Sequence, residues 1–154
     1  MIREANVDDI EEIHEVRMAV KENILSNPLL VTTEDYINYL TKRGKGWVFI
    51  KDEKVVGFAI ADKKGSNIWA LFVHPEYEKQ GIGKQLHNVM MNWYFSKTTK
   101  SIWLSTDPKS RALSFYKKAG WIEIGMYGKG EVKLEMEYQQ WKVLQEHTQQ
   151  VFNV

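Results

Sequence analysis

The stretch of this sequence best equipped to do chemistry runs from Phe72 to Leu86 and reads FVHPEYEKQGIGKQL. The apolar run Ile68 to Val73 has the composition of a buried strand. His74-Pro75 ends it, because proline cannot donate to a sheet ladder. Gly81 and Gly83 then permit a turn through backbone conformations closed to other residues. Beyond them Ile82, Leu86, Val89, Met90 and Trp93 recur at helical spacing on one face. Strand, glycine loop and helix in succession collect unpaired backbone N–H groups at the positive end of a helix dipole, and that combination attracts phosphate. Lys79 and Lys84 flank the loop with further positive charge.

Neither common nucleotide loop fits these residues. A dinucleotide fingerprint needs a third glycine where Leu86 stands. A Walker loop needs four residues between its glycines and Lys-Ser or Lys-Thr after the second; here one residue intervenes and Lys84 is followed by Gln85. Taken alone, such a loop also describes an ordinary strand-to-helix turn. A second stretch, Ser105 to Trp121 (STDPKSRALSFYKKAGW), adds to it. Val73-His74-Pro75-Glu76-Tyr77 leading into Gln80-Gly81-Ile82-Gly83 resembles the acyl-CoA loop of the GNAT superfamily of N-acetyltransferases. Ala112, Phe115-Tyr116 and Gly120-Trp121 resemble that family's second CoA-binding motif, in the same order along the chain. Glu78 stands where the first motif has Gln or Arg, and Lys109 where the second has Asn. The resemblance extends from about Ile2 to Tyr138.

What the resemblance implies is an acetyl-CoA-dependent N-acetyltransferase acting on a primary amine by direct attack, with acetyl-CoA as co-substrate. The pyrophosphate would rest on backbone N–H groups from Lys79 to Lys84, through Gln80, Gly81, Ile82 and Gly83. The pantetheine arm would pair with the edge of Phe72 and Val73. Lys109, Ala112 and Phe115 complete the implied cofactor contacts, and Tyr116 matches the family's catalytic tyrosine as general acid. A phenol of pKa about 10 can serve a thiolate whose conjugate acid lies near 8.5 if the two are held together. The central strand holds no carboxylate, so the base is sought in His74 or Glu22, with Asp62, Glu76 or a water relay as further options. The alternative reading is a GNAT-fold acyl-CoA-binding module or sensor with little catalysis. ATP or NAD binding is disfavoured by the loop itself.

With 154 residues, the chain reads as one domain over residues 1–138 and a tail over 139–154 that either docks as a helix or frays. A net charge of +1 gives no electrostatic reason to expect nucleic acid or an anionic membrane as partner. The absence of cysteine excludes disulfides, thiolate metal sites and a cysteine nucleophile. His14, His87 and His147 have no spacing with carboxylates that suggests a metal, and read as solvated. Without an apolar leader or membrane span, a cytoplasmic location is expected. The expected partners are a small-molecule or peptide amine and, from the resemblance, a second copy in a homodimer.

The elements that must position these residues follow in order. Ile2 to Ala5 reads as a strand, and Asn6, Asp8 or Asp9 as the cap of a helix carrying Ile10, Ile13, Arg17, Val20 and Ile24 in one row. Arg17 therefore falls among apolar neighbours and needs an anion; a structural carboxylate such as Glu22 is the expected partner, a ligand the other option. Thr32 to Asp35 opens a second helix through about Lys42, and in the family this helix pair walls the acceptor site. Gly44 and Gly46 end it, ahead of a hairpin of Trp47 to Ile50 and Val55 to Ala61. The central strand Asn67 to Val73 and the loop helix come next. Strand Ser101 to Ser105, a helix opened by Asp107-Pro108, and strands Trp121 to Tyr127 and Val132 to Tyr138 complete the chain. This is an α/β (α+β) order: a mixed, mostly antiparallel twisted sheet of six to seven strands with helices on both faces. Trp47, Trp69, Tyr36, Tyr39 and Tyr127 could line a cation–π pocket for an amine, or be core.

Overall fold

The structure, a computed structural model, describes residues 1–20 and 31–152, with side chains through His147. It divides into two compact units, Met1–Ser96 and Lys97–Val154. The first holds β1 (Ile2–Glu4), α1 (Ile10–Ala19), α2 (Thr33–Asn38), β2 (Gly44–Lys51), β3 (Lys54–Asp62), β4 (Asn67–Val73) and nearly all of α3 (Ile82–Lys97). The second holds β5 (Ile102–Thr106), α4 (Arg111–Lys118), β6 (Ile122–Tyr127), β7 (Glu131–Met136) and α5 (Tyr138–Phe152). The described strands number seven; they run β1-β2-β3-β4 in the first unit and β5-β7-β6 in the second. Within each unit every recorded pairing is antiparallel. The expected class, strand number and mostly antiparallel pairing hold.

Local chemistry sets the helix starts. The Asn6 side chain accepts the Asp8 N–H at 2.9 Å, while Asp9 accepts the Asn6 N–H at 2.8 Å. Thr32 and Asp35 exchange the same pair of bonds ahead of α2, at 3.1 and 2.8 Å. Asp9 is buried and also grips Arg3 through two bonds of 2.7 and 2.8 Å. That guanidinium holds the Asp9 carboxyl below its ordinary range, so its stabilisation is present above the unfolded pKa and lost as pH falls through the folded one. Because Arg3 is half exposed, Asp9→Asn is expected to cost only roughly 1–2 kcal/mol at neutral pH. Urea melts should show the gap from wild type closing as pH drops below about 4.

Several boundaries differ from the sequence reading. α1 stops at Ala19, with Val20 already extended, and Ile24 lies outside the described residues. After α2 the helical run continues as a π-helical turn, Tyr39–Arg43, which Gly44 caps as expected, and Gly44 and Gly46 also lie in β2. Asp107-Pro108 does not begin α4. Asp107 closes a turn onto Lys109 and Ser110, and Ser110 is the cap, accepting the Leu113 N–H at 3.4 Å. The tail is the helix α5 and it is docked: Trp141 is buried, and Gln140 donates to the Gly120 carbonyl. β6 is exposed along its length, with Ile122, Ile124 and Met126 open to solvent. Among the described residues no helix is long and apolar enough to cross a membrane.

The core of the first unit explains where its functional surfaces sit. Ile13 and Val16 of α1 and Tyr36 of α2 pack with Phe58 and Ile60 of β3. On the opposite face of β3, a Cβ added at Gly57 would lie 3.1 Å from Leu86 and 3.2 Å from Ile82. α1 and α3 therefore cover opposite faces of this sheet, because successive strand residues point opposite ways. The missing side chain at Gly57 lets the start of α3 settle against β3. That contact fixes the height of the glycine loop.

Candidate active site

The end of β4 leads directly into the loop. The ladder runs one residue past the strand, the His74 N–H donating to the Val56 carbonyl at 2.8 Å. Pro75–Tyr77 forms a 3-10 turn with proline in its first position, and His74 caps it: Nδ1 accepts the Glu76 N–H at 3.1 Å. That bond requires an unprotonated Nδ1, so in the neutral ring Nε2 carries the hydrogen. His74 thus caps the turn at the end of β4, directly before the glycine loop.

Lys79 and Gly81 both adopt positive φ, 64° and 78°. For a lysine this conformation costs about 1–2 kcal/mol, so the surroundings must hold it there. The β2–β3 hairpin supplies that support. Lys51 donates to the Gln80 side-chain carbonyl, Tyr77 donates to Asp52 at 3.1 Å, and the Lys54 ammonium sits 5.5 Å from the Tyr77 ring centre. The Gln80 side chain is thus occupied by Lys51, and its contribution to a ligand is its backbone. Sequence reasoning gave the hairpin no part in this; alternating charge around Asp52 is too common a turn pattern to reveal it.

At the start of α3, the Gln85 N–H bonds the Gly81 carbonyl at 3.1 Å. The N–H groups of Ile82, Gly83 and Lys84 precede that first bond, as in any helix start. No acidic residue occupies this first turn, whereas α1 has Glu11 and Glu12 and α2 has Glu34 and Asp35. Lys79, Gln80, Gly81 and Lys84 are exposed, and Ile82 is buried, so Ile82 can offer only its backbone. A Cβ on Gly81 would meet nothing nearer than the Gln85 amide at 4.0 Å. The loop therefore presents donors, positive charge and open room, which suits a pyrophosphate. Phe72 and Val73 are half-buried on β4, Phe72 packing 5.6 Å from Phe58.

In the second unit, Tyr116 is 6% exposed, its ring edge-on to Phe115 at 5.2 Å and to Trp121 at 5.5 Å. Burial pushes its phenol well above the usual tyrosine value. Ala112 and Phe115 are half-buried on the same helix, and Lys109 is exposed in the turn before it. A shallow depression lined by Pro108, Ser110, Leu113, Ser114 and Lys117 follows another face of α4 and excludes Tyr116.

The other side chains considered for proton transfer or metal binding fall elsewhere. Asp62 is buried and takes four bonds, from Arg43 Nε and Nη2, the Gly65 N–H and the Asn67 amide, at 2.9 to 3.1 Å. Its oxygens are committed to tying the π turn to the β3–β4 connection, so it is structural. Glu76 is exposed, and Glu22 lies outside the described residues. His87 is buried and not solvated as expected, and burial lowers its pKa, favouring the neutral ring. His14 is half-buried, with Nδ1 2.8 Å from the Tyr36 hydroxyl. Among the described residues no group of three His, Asp or Glu is placed to hold a metal.

The aromatic residues fall into separate contacts within each unit. Trp47 packs on Trp93, and Tyr127 on Trp103 in the other unit. Tyr36, Tyr39 and Trp69 do cluster, with Tyr39 stacked on Trp69 at 4.1 Å, but a cation of the protein is already there. The Arg17 guanidinium lies 4.8 Å from the Trp69 ring centre and 5.0 Å from that of Phe72. Burial of a charge of this kind costs several kcal/mol, and each ring returns roughly 0.5–2 kcal/mol.

The sequence pattern of the Acetyltransferase (GNAT) family matches residues 8–121, well over half of the chain. The chain belongs to that family. GNAT structures also share its fold. The PaiA N-acetyltransferase of Thermoplasma acidophilum, solved with coenzyme A, superposes with a TM-score of 0.78 at 20% identity, covering 90% of this chain and 98% of its own. The ribosomal-protein-S18-alanine N-acetyltransferase of Escherichia coli gives 0.73 at 15% identity, covering 90% and 93%. A Bacillus anthracis protein solved with acetyl coenzyme A gives 0.68 at 19%, covering 89% and 98%. No curated protein sequence matches this chain. The GNAT assignment makes the protein an acyltransferase.

Proposed function

We propose that the protein is an acetyl-CoA-dependent N-acetyltransferase that acetylates a primary amine by direct attack. The observation that carries this is the loop at the start of α3: positive φ at Lys79 and Gly81, exposed lysines, open room at Gly81 and no carboxylate in the first helical turn. Bound acetyl-CoA supplies an activated acyl thioester. Lys79 to Lys84 hold its pyrophosphate through backbone N–H groups, and Phe72 and Val73 flank the arm. Lys109, Ala112 and Phe115 are the remaining cofactor contacts, and Tyr116 donates to the departing sulfur. With no cysteine in the chain, the amine attacks the thioester carbonyl itself. The C–N bond forms as the C–S bond breaks; the amine loses one proton and the thiolate gains one. Asp62 is committed to four other bonds, so removal of the amine proton falls to His74 at the end of β4, to Glu22 or to solvent water.

The mechanism predicts sequential kinetics. Initial rates at varied acetyl-CoA and amine should give intersecting double-reciprocal lines, with no exchange of labelled CoA into acetyl-CoA in the absence of amine. Parallel lines together with amine-independent exchange would mean an acyl-enzyme and would overturn direct attack. Binding of acetyl-CoA without turnover of any amine would instead favour the binding-module reading.

A further inference from the structure

The acetyltransferase reading uses the loop, β4 and α4, and leaves one buried charge on the α1 face of the first unit without a purpose. Arg17 is 5% exposed. Its Nε and Nη2 atoms are buried and have no hydrogen-bond partner among the described residues. These two nitrogens share one edge of the guanidinium, where parallel N–H bonds can grip a carboxylate at two points. The faces of the group are served by rings: Trp69 at 4.8 Å, Phe72 at 5.0 Å, Tyr36 at 5.8 Å and Phe58 at 6.0 Å. Aromatic faces stabilise the charge but leave in-plane donors unbonded. The Tyr36 hydroxyl is engaged with His14 at 2.8 Å. A buried donor pair without a partner among the described residues is where a ligand's anion completes the set.

We infer that Arg17 receives a carboxylate of the acetyl acceptor. The acceptor is then an amine that also carries a carboxylate, an amino acid or a short peptide with a free C-terminus, and not a polyamine. The inference rests on the acetyltransferase reading for the role of acceptor. A cation already fills the aromatic cluster, so a second cation is repelled there and an anion attracted. Trp69 and Phe72 are both half-buried, giving the cluster an outer wall, and both belong to β4, whose end at Val73 runs into the donor loop. A carboxylate on Arg17 thus lies along the strand that leads to acetyl-CoA. The two-oxygen geometry of the carboxylate suits the Nε–Nη2 edge.

The test reads Arg17 directly. The chain has four arginines, so its Nε–H signals form a small set, and Arg17→Gln identifies the one in question. Wild-type protein is titrated with N-acetylglycine, with N-acetylglycinamide, and with inorganic phosphate. The expected result is a saturable downfield shift of the Arg17 signal with N-acetylglycine and none with the amide. In turnover assays, free amino acids should exceed their carboxamides by at least about tenfold in kcat/KM. Arg17→Gln should abolish that preference while acetyl-CoA affinity stays unchanged. Arg17→Lys keeps the charge without the fork, and should lose the preference too, should glutamine disturb α1. An unmoved signal, an equal response to the amide, or tighter binding of phosphate than of N-acetylglycine would overturn the inference. Acetyl-CoA is titrated separately: its failure to bind would remove the acetyltransferase reading, while the carboxylate titration would still decide what Arg17 binds.

Discussion

Tyr116→Phe is expected to lower kcat by about 10²- to 10³-fold while leaving the affinity for acetyl-CoA nearly unchanged. The substitution removes one oxygen and keeps the ring contacts to Phe115 and Trp121, so the packing of α4 persists. Steady-state kinetics with thiol release as the signal would measure kcat, and calorimetry the affinity. The size of the effect follows from where charge appears. As the C–S bond breaks, sulfur becomes anionic, and a hydroxyl held by a buried ring can stabilise it without reorganising solvent. Full transfer from the phenol runs against the pKa order, more so because burial raises the phenol further. In the proposed mechanism Tyr116 would therefore contribute chiefly a hydrogen bond to sulfur, with the proton lost by the amine completing the balance. The same burial sets the pH behaviour. A raised pKa keeps Tyr116 protonated as pH climbs from 7 to 9, so kcat should show no alkaline fall in that range. A fall centred near 8 in wild type, absent from Tyr116→Phe, would contradict this role. A variant retaining full kcat would make Tyr116 a packing residue.

Much of the donor side was legible in the sequence, for a physical reason. Glycines that turn the chain, a proline that stops a strand and a helical apolar stripe are local signals, and the strand-loop-helix they describe needs no distant partner. The capping boxes at Asn6 and Thr32 are local in the same way. What escaped depends on residues far apart in the chain. The hairpin around Asp52 braces Tyr77 and Gln80 from some 25 residues away, and no periodicity announces such a pairing. Gly44 reads as a helix terminator and does cap the π-helical turn, but that it and Gly46 also begin a strand is set by pairing with β3, far along the chain. His74 ends a strand beside the loop, as its sequence position says; that its ring also caps the next turn is a contact only the structure displays.

Arg17 shows the limit in the other direction. Helical spacing placed it among apolar neighbours and so required an anion, and the burial is as expected. Spacing alone could not say that four rings from α2, β3 and β4 would surround it, nor that two of its nitrogens would find no partner among the described residues. That distinction separates a structural ion pair from a binding group. The expected partner, Glu22, lies outside the described residues.

The claim on which the account depends most is that the loop at the start of α3 is an acyl-CoA pyrophosphate cradle, and Gly81→Asp tests it most directly. Aspartate is among the residues best able to adopt the positive φ of Gly81, its Cβ would enter open space, and an acid near a helix N-terminus is stabilising by about 0.3–1 kcal/mol. The variant should therefore melt close to wild type. It would nonetheless put a carboxylate where the pyrophosphate is expected, and like charges at such range should cost about 2–3 kcal/mol, near 100-fold in affinity. Isothermal titration with acetyl-CoA on both proteins is the measurement. The account predicts saturable binding to wild type and a loss of about 100-fold or more in a variant that melts normally. Equal binding by the two proteins, or no binding by wild type, would contradict it.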